Sequence, residues 1–474
     1  MIHLAVIDIL IIVTYFAAIV FIGFRTARKT QTTEMDFLLA GRSLTLPIFV
    51  MTLVSTWYGG VLGVGEYSYR FGISNWVTQG LPYYIFAAIF AFFLAKKVRA
   101  TNLFSIPDKL AASYDRKTAL LGSFLTFILM TPAPYILMFS VLLQLIFGWN
   151  MFTCLIVTAI TAISYINFGG FRSDVATNIL EFFLMFLGFV IIIPFCIQSF
   201  GGMNFLTTHL PPAHLTWNGG NSFQYILIWF FIALWTLVDP SFHQRCYAAK
   251  NGTVAQNGIL LSIIFWFVFD FITTMAGLYA RAALPNLDQP MMSYPLLAEA
   301  VLPPVAKGIF YVGMLAPIMS TLNSLAFVSG QTLGRDFYLQ LRTKSGMIAH
   351  HSSTFVTQIG VIVSFIISII LALLIPSVIN LWYTIGTVII PGLLVPLMAS
   401  YFDRLKISAR FAFSAMLFGW LTSLGWLLTG LTNGHLGDYL LGIEPMYPGL
   451  VVSIIFWIAG KIEIRSVKLK QVHL

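Results

Sequence analysis

The most informative stretch of the chain reads Thr52-Leu53-Val54-Ser55-Thr56-Trp57-Tyr58-Gly59-Gly60-Val61-Leu62-Gly63-Val64-Gly65-Glu66. It lies in an apolar segment of about 20 residues, the length that crosses a bilayer, yet glycines and polar side chains stand at its middle. A helix in hydrocarbon has to satisfy its own backbone, so a broken one is tolerated only where it lines a cavity. Close packing through small residues is the plainer alternative.

A second interrupted segment occurs five segments further on. It reads Trp229-Phe230-Phe231-Ile232-Ala233-Leu234-Trp235-Thr236-Leu237-Val238-Asp239-Pro240-Ser241-Phe242-His243-Gln244-Arg245. Proline removes a backbone donor, so Asp239-Pro240 ends one helical piece and begins another. Two interrupted helices at matching positions of consecutive blocks indicate an inverted-repeat transporter, in which freed carbonyls and helix ends bind a cation and a solute.

The composition agrees with a chain surrounded by lipid. Of the 474 residues, 58% are hydrophobic, 15% are aromatic and only 9% are charged. Soluble domains carry about 25% charged residues, so this chain has too few to solvate a surface. A soluble enzyme, a nucleic-acid-binding protein and a disordered protein are therefore excluded.

The pattern predicts an all-α integral membrane protein with about 13 transmembrane helices and no separate soluble domain. Segments two to six and seven to eleven would form a 5+5 inverted-repeat core, with its first and sixth helices broken. The chain would be one transporter domain (1–474) with an extra helix at 4–25, a core at about 44–400 and two extra helices at about 408–461. The predicted segments are 4–25, 44–67, 74–97, 118–146, 149–168, 173–200, 222–243, 257–283, 305–330, 354–376, 378–400, 408–430 and 446–461.

The distribution of basic residues predicts the orientation. Alternate loops hold 23 of the 26 Lys and Arg residues, and the other set holds Arg70, Arg281 and Lys307. Basic residues accumulate in cytoplasmic loops. We therefore expect the N-terminus outside and the C-terminus in the cytoplasm, and we interpret the net charge of +9 as a topology signal.

A third polar cluster lies in the ninth segment, which contains Ala316-Pro317-Ile318-Met319-Ser320-Thr321-Leu322-Asn323-Ser324. The hydroxyl groups of Ser320, Thr321 and Ser324 would lie in the middle of the membrane. A hard cation such as sodium prefers oxygen ligands, by analogy with other hard cations. The alternative is that each hydroxyl bonds to the backbone of its own helix.

Taken in order, these motifs resemble the sodium:solute symporter family, which has a leucine-transporter-like fold. The resemblance rests on the Met319-Ser320-Thr321 and Asn323-Ser324 runs with Asp336, and on Gly169-Gly170-Phe171 followed by Thr177-Asn178-Ile179-Leu180-Glu181. It also rests on Ala40-Gly41-Arg42-Ser43-Leu44 before the first core helix and on Gln244-Arg245 at the end of the sixth. The plasma membrane, or inner membrane in bacteria, is the location that the family implies.

The resemblance implies one sodium site between the first and eighth core helices. Its ligands would be the carbonyls of Ser55, Tyr58 and Pro317. The hydroxyls of Ser320 and Thr321 would complete the site. Pro317 departs from the small residue usual at its position, but it still offers a carbonyl.

The fifth core helix departs further from the family, which often has Asp at the position of Asn178. The acid here is Glu181, nearly one turn along the same face. In some relatives that Asp helps to form a second cation site. A second cation or proton site at Asn178, Glu181, Asn323 and Ser324 is therefore one hypothesis, in which Glu181 replaces the Asp or binds a proton. The alternative is that Glu181 only pairs locally. Asp174 is expected near the cytoplasmic end, beside Arg172.

The solute site is predicted from a likeness of Thr56-Trp57-Tyr58-Gly59-Gly60 to the choline-transporter branch, in which the matching Trp binds a quaternary ammonium. The predicted solute-binding residues are Trp57, Tyr83, Trp235 and Asp239. A cation against aromatic faces gains about 2 kcal/mol when desolvated, and a carboxylate would add to that. Amino acids, carboxylates, pantothenate-like acids and sugars remain alternatives. The aromatics could instead be packing residues, and Asp239 could cap the broken helix or pair with Arg245.

The predicted function is sodium-coupled symport of a small organic solute by alternating access, with a cationic or zwitterionic amine as the favoured solute class. The predicted partners are the solute, sodium as the coupling ion and the lipid bilayer, with no organic cofactor, no nucleic acid and no assigned oligomeric state. Catalytic residues are not expected, because the chain has no H-E-x-x-H motif and no paired catalytic Asp. A proton-coupled transporter of an organic acid or amino acid is one alternative, and a membrane sensor with a transporter fold is another. Asp270, a buried acid of the eighth segment, has no assigned role.

Overall fold

The chain folds as a bundle of α-helices in the computed structural model, which describes residues 2–28, 33–339, 341, 350–375, 377–432 and 439–472. The long helices are α1 (Val6–Ala27), α2 (Leu46–Phe71), α3 (Trp76–Ala100), α4 (Arg116–Phe147), α5 (151–169), α6 (171–200), α7 (Phe223–Ala248), α8 (Gly252–Ala283), α9 (Ala306–Tyr338), α10 (His350–Leu374), α11 (Val378–Tyr401), α12 (Ala409–Thr432) and α13 (Met446–Val472). Short helices occupy Glu34–Leu39, Ile106–Ser113, Met203–His209 and Ser293–Val301.

Twelve helices in this described part are long and apolar enough to cross a membrane. The predicted count of 13 is not confirmed, because the apolar stretch Met151–Ser164 in α5 is shorter than the others. The helices α5 and α6 are continuous in sequence and meet at Gly170, whose φ of 55° and ψ of −148° are not helical. Glycine is the residue that adopts such a conformation without strain. Of the basic residues used to predict the orientation, Lys29, Arg342 and Lys344 lie outside the described residues.

The two predicted helix breaks are present. The helix α2 is interrupted by a 3₁₀ turn at Tyr58–Gly60, and α7 consists of the pieces Phe223–Ile232, Trp235–Val238 and Pro240–Ala248. A third break, in α4, was not predicted: Arg116–Leu129 and Ala133–Phe147 are separate pieces, with two prolines at the start of the second.

The helix α9 forms the centre of the bundle. Among residues 306–331, every residue except Ile309 is buried. Small residues let a neighbouring helix approach α9 closely: a Cβ atom added to Gly188 of α6 would lie 2.6 Å from the Cα of Gly313. The functional residues of α9 are therefore held between α2 and α6.

The helix α1 packs against this centre at several depths. The Asp8 carboxylate accepts hydrogen bonds from the backbone N–H groups of Val305 (2.8 Å) and Gly308 (2.9 Å), and so caps the start of α9. Near the other end of α1, the Ser173 hydroxyl donates to the carbonyl of Gly23 over 2.8 Å. The outer faces of the bundle expose large apolar side chains such as Phe92 and Ile264, as a lipid-facing surface requires.

Candidate functional site

The break in α2 lies directly against α9. The Thr321 hydroxyl contacts the carbonyl of Thr56 and lies 2.9 Å from the carbonyl of Pro317. The Ser320 hydroxyl oxygen lies 3.1 Å from the Ser55 hydroxyl oxygen. A Cβ atom on Gly59 would overlap the Thr321 side chain and lie 3.0 Å from the Pro317 carbonyl. The absence of a side chain at Gly59 therefore allows the two helices to bring their oxygens together.

Four of the five residues predicted to bind sodium lie at this contact: Pro317 through its predicted carbonyl, Ser320 and Thr321 through their predicted hydroxyls, and Ser55 through its hydroxyl, whereas its carbonyl was the predicted ligand. The fifth, Tyr58, lies in the break itself, and its hydroxyl turns away to contact Asp270 and to lie 2.9 Å from the Thr273 hydroxyl. Carbonyl and hydroxyl oxygens suit a hard cation. The arrangement could therefore hold sodium, and the ligand assignment stays a prediction.

Thr56 connects this contact to a second polar cluster, and the sequence analysis assigns no role to this residue alone. Its hydroxyl oxygen lies within hydrogen-bonding distance of four polar atoms: Ser320 Oγ (3.3 Å), Ser324 Oγ (3.1 Å), Asn178 Nδ2 (3.3 Å) and Arg245 Nη2 (2.6 Å). A hydroxyl offers one donor and two acceptor sites, so these neighbours compete for it. In the sequence, only its position between Ser55 and Trp57 could have identified it.

Arg245 carries the positive charge of this cluster, and its side chain is fully buried. Its Nη2 atom donates to Thr56 and, over 3.0 Å, to the Ser324 hydroxyl. The Asp174 carboxylate lies 3.7 Å from it and is also fully buried. Asp174 was expected beside Arg172. The structure pairs Asp174 with Arg245 and Arg172 with Asp36.

The four residues of the predicted second site divide between different contacts. Asn178 accepts a hydrogen bond from Ser320 (2.9 Å), and Ser324 donates to Asp174 (2.6 Å). Asn323 is buried within α9. Glu181 accepts a hydrogen bond from Tyr15 of α1 over 3.2 Å, which points its carboxylate towards α1.

A cavity opens beside the contact between α2 and α9. It has a volume of about 140 Å³, close to an engineered cavity of about 150 Å³ that binds benzene. It therefore suits a small solute. Thr56, Tyr58 and Thr321 line the cavity and also belong to the contact between α2 and α9.

All four predicted solute-binding residues, Trp57, Tyr83, Trp235 and Asp239, line this cavity. The rings of Trp57 and Tyr83 meet edge to face, with centroids 5.6 Å apart. Asp239 also caps the last piece of α7, because one carboxylate oxygen accepts the N–H groups of Ser241 (2.7 Å) and Phe242 (3.0 Å). Its other oxygen accepts from the indole of Trp235 over 3.1 Å.

Asp270 of α8 is a second acid in the cavity wall. The hydroxyls of Tyr58 and Tyr84 both contact its carboxylate. The sequence showed an isolated acid in an apolar segment, which is a functional candidate by default, but it gave no partner. The structure shows two partners, Tyr58 in the α2 break and Tyr84 in α3.

The fold is that of a multi-pass membrane transporter, with an oxygen-rich contact between α2 and α9 beside a cavity lined mainly by aromatic residues. The family model for the sodium:solute symporter family matches residues 37–419. The chain belongs to this family. It is therefore a sodium-coupled symporter and not an enzyme, and sodium is its coupling ion.

Relatives match the chain almost end to end. The sodium/pantothenate symporter of Haemophilus influenzae is 26% identical, with 96% of this chain and 95% of the relative covered. The sodium/proline symporter of Staphylococcus aureus is 24% identical, with 94% and 90% covered. The solved structure of a substrate-bound, outward-open sodium-coupled sialic acid symporter has a TM-score of 0.79 at 17% identity, covering 97% of each chain. The narrower likeness to the choline-transporter branch is not confirmed.

Proposed function

We propose that the chain carries a small amine, as an organic cation or a zwitterion, together with sodium. The observation that carries this proposal is the composition of the cavity wall. Asp239 and Asp270 are its charged residues, nine of its members are Trp or Tyr, and no Lys, Arg or His occurs among the described residues that line it. Aromatic faces attract a cation, and an organic anion would meet two carboxylates.

The solutes named for two relatives can be compared with this cavity. Proline, named for the Staphylococcus aureus relative, is a small zwitterion and fits the charge and the volume of this cavity. Pantothenate, named for the Haemophilus influenzae relative, is an acid, and the described lining offers no basic group to receive it.

Sodium would bind where α2 meets α9, between Ser55, Tyr58, Pro317, Ser320 and Thr321. Because Tyr58 and Thr321 also face the cavity, binding sodium would fix part of the solute site. Each ligand would then tighten the binding of the other by the same free energy. Alternating exposure of both sites would complete the symport.

The membrane arrangement is part of the proposal. We infer one transport domain in which α2 to α11 form the inverted-repeat core, with α1, α12 and α13 outside it. The excess of basic residues in one set of loops supports a cytoplasmic C-terminus and an external N-terminus. The bacterial names of the relatives support the inner membrane as its location.

The sodium site is tested by the melting temperature of the purified protein in sodium against equimolar potassium. A ligand that binds only the folded state raises the midpoint by mass action. We expect a rise specific to sodium that is lost in Ser320→Ala/Thr321→Ala. The matched control is Thr161→Ala/Ser262→Ala, which removes two hydroxyls that bond their own helices over 2.8 Å each. Equal sodium responses in the two double variants would contradict the ligand assignment.

The solute class is tested by competition, with sodium present. Proline, a trimethylammonium compound and pantothenate represent the zwitterion, the cation and the anion. We expect one or both amines to raise the melting temperature further, and Asp270→Asn to weaken that effect more than it weakens the sodium response. Stabilisation by pantothenate alone would overturn the amine proposal and leave sodium coupling standing.

One observation supports a proton site in addition to the sodium site. Glu181 is fully buried, and its Oε2 atom has no hydrogen-bond partner among the described residues. The variant Glu181→Gln tests whether this carboxyl binds a proton while sodium binds elsewhere. Loss of the pH dependence of transport, with the sodium response intact, would make Glu181 a proton site.

A further inference from the structure

The buried cluster beside the sodium site has the composition of a cation site. Four oxygens lie around the guanidinium of Arg245: the carboxylate of Asp174 and the hydroxyls of Thr56 and Ser324 beside Nη2, and the carbonyl of Ser241 beside Nη1. One carboxylate with hydroxyl and carbonyl oxygens is a ligand set that suits a hard cation. In this structure the guanidinium of Arg245 fills the space between these oxygens.

The contacts of Arg245 show that its positive charge is the cation of this cluster. Its Nη2 atom lies 2.6 Å from Thr56 Oγ1, 3.0 Å from Ser324 Oγ and 3.7 Å from an oxygen of Asp174. Its Nη1 atom lies 3.4 Å from the carbonyl of Ser241. Removing one partner of a buried ion pair strands the other charge, which is strongly destabilising.

We propose that Arg245 is a tethered cation that takes the place of a second sodium ion, so that the chain carries one sodium per solute. The proposal rests on the sodium coupling described above. The guanidinium stays attached to α7 throughout the cycle, so it neutralises Asp174 without being transported. The same four oxygens would bind a free sodium ion if the tethered charge were absent.

The charge balance gives each variant a different expected result. In Arg245→Ala the carboxylate of Asp174 is left in an oxygen-lined space, and a second sodium ion should enter. In Asp174→Asn an unbalanced guanidinium remains next to Thr56, whose carbonyl contacts the sodium-site residue Thr321. Like charges brought together are costly, so sodium should bind there roughly tenfold more weakly. In Arg245→Ala/Asp174→Asn both charges are gone, and the single sodium site should behave as in the unmodified chain.

The experiment measures sodium dependence in purified protein and in proteoliposomes. The readouts are the Hill coefficient of the sodium-dependent melting shift and the ratio of sodium to solute taken up. We expect a coefficient and a ratio near one for the unmodified chain, a coefficient approaching two for Arg245→Ala, and a return to one for the double variant. Arg245→Lys keeps the tethered charge and should also give one.

Each outcome decides the proposal. Two sodium ions taken up per solute by the unmodified chain would overturn the proposal. Equal Hill coefficients for Arg245→Ala and for the double variant would also overturn it. If Arg245→Ala fails to fold, the ratio of the unmodified chain and the sodium affinity of Asp174→Asn remain decisive, and an unchanged affinity would overturn the proposal. A missing sodium response in the unmodified chain would instead refute the sodium site itself, so the two failures can be told apart.

Discussion

Replacing Gly59 by alanine should damage the sodium site without removing a single polar group. A Cβ atom at this position would overlap the side chain of Thr321 and lie 3.0 Å from the carbonyl of Pro317. Both neighbours belong to α9, whose surroundings are packed too tightly to yield. The helices α2 and α9 would therefore have to separate, which moves two sets of predicted ligands apart.

The magnitude follows from the cost of overpacking. Extra atoms in a packed interior typically cost about 1–3 kcal/mol. If this cost falls on the α2–α9 contact that sodium requires, the half-saturating sodium concentration rises by roughly 5- to 150-fold. The solute cavity would also suffer, because Thr321 lines it.

The assay is a titration of the melting temperature with sodium at constant ionic strength. Gly425→Ala is the matched control, because a Cβ atom there has no heavy atom within 4 Å. We expect Gly425→Ala to titrate like the unmodified chain and Gly59→Ala to shift as described. A folded Gly59→Ala protein with an unchanged titration would refute the placement of sodium at this contact.

Three further predictions concern residues outside this contact or side chains that the sodium site does not use. Tyr58→Phe should cost about 1.5–3 kcal/mol of stability, because Asp270 loses a hydroxyl donor, while the sodium titration stays unchanged because the carbonyl of residue 58 remains; a lost sodium response would contradict this. Asp8→Ala should lower stability by about 1–2 kcal/mol, because α9 loses its cap; an unchanged melting temperature would show that the cap contributes nothing. Glu444 lies outside the spanning helices, and burial raises the pKa of its carboxyl from 4.5 to about 7. Since the folded state holds this proton more tightly, the stability from this group is largest below pH 4.5 and falls as the pH rises to about 7, and Glu444→Gln should remove that part of the pH dependence of the melting temperature.

The fold was largely predictable because the bilayer simplifies the physics. Apolar length predicts a crossing helix, and glycine or proline at mid-depth predicts a break, as at Tyr58–Gly60 and Asp239-Pro240. The break in α4 was missed because its signal, Pro132 and Pro134, lies inside an otherwise apolar run. The count of 13 was less secure because α5 and α6 form one helical run that is divided only by the backbone of Gly170.

The site was predictable where a motif carried it and unpredictable where only the packing decides. Ser320 and Thr321 were singled out because hydroxyls in a membrane segment are unusual, and the structure places both against α2. Arg245 was expected to mark the end of a helix, and nothing in its neighbouring residues indicates that it reaches Thr56 and Ser324, which are 189 and 79 positions away in sequence. Contacts between distant segments depend on helix rotation and depth, which one sequence does not encode locally.

The first helix is joined to its neighbours by polar contacts along its whole length. Asp8 holds the beginning of α9, Tyr15 holds Glu181, and the carbonyl of Gly23 accepts from Ser173. A helix fastened in this way cannot stay behind while α6 and α9 shift. We therefore expect α1 to move as one rigid unit with α6 and α9, and in a rocking motion it would travel with Ser320 and Thr321, the predicted sodium ligands of α9.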